Sequence, residues 1–80
     1  MKLAGFQKRL IEADRHVAEG ADRITKQEAV VAKGDTSGRD TTGARKVLAA
    51  LRKAQALHFE ARDRAVADLR RELTSKEDVG

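Results

Sequence analysis

The chain has no cysteine, no proline, no tryptophan and no tyrosine. Without cysteine there is neither a disulfide nor a thiolate metal site, and the composition fits a reducing, cytoplasmic setting. Without proline, nothing in the sequence breaks a helix from within. Phe6 and Phe59 are the only large aromatic side chains, so any core is thin. The chain also lacks a row of aromatics on which bases could stack. Long apolar runs are missing too, because Lys2, Lys8, Arg9 and Glu12 interrupt the start of the chain. The expectation is neither a standard signal peptide nor a membrane span.

What is present is helical periodicity. The chain has 80 residues, 38% of them charged and 40% hydrophobic, with a net charge of +4 spread over both halves. That length allows one small domain. Leu3, Leu10, Val17, Ile24 and Val31 recur every seven residues, about two helical turns, and so form one stripe along one long helix. Phe6, Ala13, Gly20 and Gln27 fill the alternate core positions. The spacing predicts a first helix over about residues 2–33, with Gly34 as the left-handed residue that ends it. Gly20 in mid-helix costs about 1 kcal/mol relative to Ala, which points to a close neighbour. Phe59 is the expected one.

A polar loop over about 34–40 follows, and Asp40 or Thr41 is placed to cap a second helix over about 41–74. Residues 75–80 are expected to fray. The second apolar face reads Ala44, Leu48, Leu51, Phe59, Val66, Leu69 and Leu73, interrupted by Gln55, His58 and Arg62. A short loop between two long helices makes an antiparallel pair. Val31 then faces Ala44, Ile24 faces Leu51, Val17 faces His58, Leu10 faces Ala65 and Phe6 faces Leu69. The fold class expected is all-α, a coiled-coil-like antiparallel two-helix hairpin forming a single domain over residues 1–80.

A further stripe runs along the second helix about a quarter turn away: Val47, Ala50, Ala54, Leu57, Ala61 and Ala65. Leu57 points away from the seam, and small residues around it let another helix approach. Val47, Ala50, Ala54, Leu57 and Ala61 are therefore the candidate interface for a second copy or for another helical protein. Two paired hairpins would make a homodimeric four-helix bundle and double the core.

Chemistry finds little support. His16 and His58, the only histidines, lie on neighbouring levels, yet two His at i and i+4, or Glu-x-x-His, are missing, so no metal site is expected. Gln55, His58 and Arg62 read instead as a polar layer that sets register, with an acid such as Asp14 pairing Arg62. Asp35-Thr36-Ser37-Gly38 superficially matches an aspartic-protease signature, but it lies between helices in a chain with no strand pattern. Its Asp35 also opens something like a calcium loop whose later acidic ligands are missing. With no phosphate loop and no nucleophile elbow, neither catalytic residues nor a cofactor is expected.

One alternative belongs to a different class. Arg45, Lys46, Arg52 and Lys53 crowd the start of the second helix and could gather an anion such as a nucleic-acid phosphate. A membrane-surface role lacks bulky interfacial anchors.

His16-Val17-Ala18-Glu19-Gly20 with Arg23-Ile24 and Gln27 resembles the first half of a group of short proteobacterial proteins with no assigned function. Gly38-Arg39-Asp40-Thr41 with Ala44, Leu48 and Leu51, then Leu57-His58 and Arg62-Asp63-Arg64, resembles their second half. The likeness covers roughly residues 9–73. Gly34 and Gly43 depart from it. It implies a helical hairpin and no activity.

Overall fold

A computed structural model of the chain describes residues 2–79, with side-chain surroundings described for residues 3–75. Two helices, α1 (Lys2–Thr36) and α2 (Thr42–Val79), fold back on each other as an antiparallel hairpin. The body is a rod of 66 × 14 × 14 Å.

The seam follows from strict alternation of three- and four-residue steps. On α1 it holds Leu3, Phe6, Leu10, Ala13, Val17, Gly20, Ile24, Gln27, Val31 and Gly34, all buried or half-buried. On α2 it runs through Ala44, Leu48, Leu51, Gln55, His58, Arg62, Ala65, Leu69 and Glu72. Such spacing keeps one edge of each helix against the other. Ala13, Val31, Leu48 and Ala65 are the buried apolar residues, and no described side chain is completely enclosed. A single pair of helices leaves each seam residue open on one side.

Phe59, Val66 and Leu73, expected on this seam, lie beside it. Phe59 and Leu73 are each 44% exposed and Val66 is half-buried. Each directly follows a seam residue, His58, Ala65 or Glu72, and one residue is about 100° of helix rotation. Ala65, expected both on the outer stripe and opposite Leu10, belongs to the seam, at 3% exposure.

The loop also differs from expectation. The first helix runs through Gly34 to Thr36, and Gly38, with φ of 73°, is the left-handed residue. The amide of Gly38 donates to the Asp35 carbonyl and that of Arg39 to the Gly34 carbonyl, at 3.1 and 2.9 Å. This paired arrangement satisfies the last helical carbonyls, and glycine adopts it without a Cβ penalty. Gly34 plays a different part. A Cβ there would lie 2.6 Å from Thr41 Cγ2, so its bareness lets the two helix ends meet. Asp40 accepts hydrogen bonds from the Thr42 hydroxyl and amide at the start of α2. The second helix extends past Thr74 to Val79, so the expected frayed tail is helical that far; Gly80 and Met1 lie outside the described residues.

Candidate interaction surface

The centre of the seam is polar. Gln55, only 7% exposed, donates from Nε2 to the Val17 carbonyl at 2.8 Å. Its Oε1 lies 3.0 Å from His58 Nδ1. Because the Gln55 amide nitrogen already donates, its oxygen must accept, and His58 carries a proton on Nδ1. Gly20, expected to receive Phe59, makes room for this pair. A Cβ on Gly20 would overlap the Gln55 carboxamide and come within 3.1 Å of His58 Nδ1. The His16 and His58 rings stand 5.8 Å apart and tilted by 38°. Nearer the loop, Gln27 donates to the Ala44 carbonyl at 2.9 Å. No buried side-chain nitrogen or oxygen lacks a partner among the described residues, so the layer is fully satisfied.

Ion pairs define the two flanks of the hairpin. One flank carries Asp14–Arg62 at 2.7 Å, Glu28–Arg52 at 3.1 Å and Asp35–Arg45. The opposite flank carries Arg9–Asp68 at 3.1 Å. The Asp14–Arg62 pair is the one expected from the sequence. All four pairs are largely solvent-exposed, so they orient side chains more than they stabilise the fold.

The candidate interface lies on the Arg9–Asp68 flank, where Val47, Ala54 and Ala61 share a seven-residue spacing with Asp68. Leu57 is 63% exposed and Val47 50%, and Ala50 and Ala61 are exposed as well. Ala54 is half-buried at the seam's edge. Val30 of α1, also exposed, extends the strip. Of the expected anion-binding cluster, Arg45 is engaged by Asp35 and Thr41, and Arg52 by Glu28. Lys46 and Lys53 make no such cross-helix pair among the described residues.

A second apolar strip escapes a reading of α2 alone. Phe59, Val66 and Leu73 continue the seven-residue series that begins with Arg45 and Arg52, so they occupy the flank with three ion pairs. Ile11 of α1, 69% exposed, lies one turn from Asp14 on the same flank. The signal was available in that spacing, but only the cross-helix pairs reveal which residues of α1 stand beside it.

Among the described residues there is no cluster of three or more His, Cys, Asp or Glu that could hold a metal ion, and no helix is long and apolar enough to cross a membrane. No family model, curated protein or solved structure matches the chain.

Proposed function

We propose that the chain is a non-enzymatic interaction module, a hairpin that completes its core by packing its long sides against helices of another chain. The observation that carries this reading is surplus surface. The hairpin exposes 6133 Å². A compact monomer of its 8.8 kDa would expose about 4,800 Å², roughly 1,300 Å² less. The strip of Val47, Ala50, Ala54, Leu57 and Ala61 is one contact surface, with Leu57 as its anchor. The alternative of anion or nucleic-acid binding through Arg45, Lys46, Arg52 and Lys53 is less favoured, because two of those cations already hold carboxylates.

Sedimentation equilibrium over micromolar to millimolar concentration tests the proposal. A mass rising from 8.8 kDa towards twice that value supports it. A melting temperature that climbs with concentration is the matching thermodynamic signature. A particle that remains at one chain, with a melting temperature independent of concentration, would overturn self-pairing and leave the Leu57 strip to a different helical protein.

A further inference from the structure

The flank that carries Val47, Ala54 and Leu57 has an order of charge along its length. Its α1 edge reads Glu12, Glu19, Arg23, Lys26 and Lys33, acidic towards the open end of the hairpin and basic towards the loop. All five are exposed. Glu12 lines a groove with Ala61, and Lys33 lines one with Val30, so both ends of this edge belong to the flank. Among the described residues Glu12, Glu19, Arg23 and Lys33 hold no ion pair. Lys26 holds only Asp22 of its own helix, at 2.9 Å, an exposed pair of the weak kind.

This order has a centre. Arg9 pairs with Asp68 across the hairpin, so Arg23 and Ala54, each fourteen residues nearer the loop, stand level with one another. Glu19 and Glu12 lie four and eleven residues before Arg23, and Lys26 and Lys33 three and ten after it. A half-turn about an axis through that level, at right angles to the rod, sets Lys26 against Glu19 of a second copy and Lys33 against Glu12. The match holds to about 1.5 Å along the helix, one residue's rise. Symmetry doubles it to four contacts. Arg23 meets its own copy near the axis, with Glu19 of each chain beside it. Arg64 comes level with Ala44 of the second copy, one turn from Asp40.

The same half-turn matches the apolar residues by size. Val47 lies seven residues before Ala54 and Ala61 seven after it; Val30 lies seven after Arg23 and His16 seven before it. Val30 and Val47, 53% and 50% exposed, therefore come over a groove of about 200 Å³ beside His16 and Ala61 of the other copy. Leu57 comes over Ala50, and Ala54 over its own copy. Each large side chain meets a small one, as close packing requires. Pairing with both loops at the same end would instead lay Lys26 and Lys33 on α2 of the second copy between residues 43 and 54, a stretch with no acid.

We infer that a second copy of this chain seats on the Val47–Leu57 flank antiparallel to the first, α1 against α1 and α2 against α2, and that Lys26 on Glu19 and Lys33 on Glu12 set its direction. The inference rests on the association reading above and gives it a partner and an orientation. Its test compares the wild type with Leu57→Glu and with two charge-reversed chains, one carrying Lys26→Glu and Lys33→Glu, the other Glu12→Lys and Glu19→Lys. Sedimentation equilibrium reads the mass, and circular dichroism follows helix content. The wild type should dimerise, and Leu57→Glu should weaken the dimer on the order of tenfold or more. Each charge-reversed chain alone sets like charges together at four contacts and should weaken it on the same order. Mixed in equal amounts, the two reversed chains should pair with each other about as tightly as the wild type does, because every contact is again acid to base. A folding defect in either chain would not be repaired by mixing. Dimers that respond to Leu57→Glu but not to the charge reversals would overturn the antiparallel arrangement. Dimers indifferent to every variant would overturn the inference and leave association to another face. A monomeric wild type would overturn it as well and leave the strip to a different helical protein.

Discussion

Gln55 of one helix donates its side-chain amide to the main-chain carbonyl of Val17 on the other, at 2.8 Å, across a gap held open by Gly20. A polar side chain in the middle of an apolar seam ties the two helices at one level. A slip of one heptad would set the carboxamide against Ala13 or Gln27 in place of Gly20, where a side chain fills the space it needs. The glycine and the glutamine are therefore one device.

That coupling gives Gly20→Ala an unusual sign. In an ordinary helix interior the change would gain about 1 kcal/mol. Here the new methyl displaces the Gln55 carboxamide and costs its bonds to Val17 and His58, each worth about 1 kcal/mol. The net expectation is destabilisation by roughly 1 kcal/mol, read from urea unfolding. In a Gln55→Ala background the same change should become stabilising. An additive double-mutant cycle would separate the two residues.

Ala65 and Ala67 make a paired test of where the core lies. Ala65 is 3% exposed in the seam, whereas Ala67 is exposed on the outer face. Ala65→Leu forces extra carbons between closely packed helices and should cost about 1–3 kcal/mol. Ala67→Leu should change stability by less than about 0.5 kcal/mol. Equal melting temperatures for the two variants would contradict the packing.

Acid should loosen the start of α2. The Asp40 carboxyl is held below its ordinary value of 3.8, first by the Thr42 hydroxyl and then by the Thr42 amide, with desolvation opposing weakly. A carboxylate whose value is lower in the folded state stabilises that state above its unfolded value, and the benefit is lost as pH falls through the folded value. The wild type should therefore lose stability below about pH 3.8 more steeply than Asp40→Asn. Coincident acid-unfolding curves, followed by circular dichroism, would remove Asp40 from this role.

Much of the architecture is legible in the chain alone, for a physical reason. Leu3, Leu10, Val17, Ile24 and Val31 at seven-residue intervals specify a long helix with one buried edge, and a short polar loop makes the next helix turn back. The Asp14–Arg62 pair and the polar layer of Gln55, His58 and Arg62 follow from that register. Single-residue choices do not. The sequence points to Gly34 as the left-handed residue, but the backbone path gives that place to Gly38, and Gly34 is needed bare against Thr41. Likewise Phe59 and Gln55 both suit the space beside Gly20. The continuous three- and four-residue steps of the seam admit Gln55 and turn Phe59 outward. Hydrophobicity says that a side chain prefers burial; the position of the other helix decides which one obtains it. In this hairpin the same decision leaves Ile11, Phe59 and Leu73 on one flank and Val47 and Leu57 on the other, a division that no single helix contains.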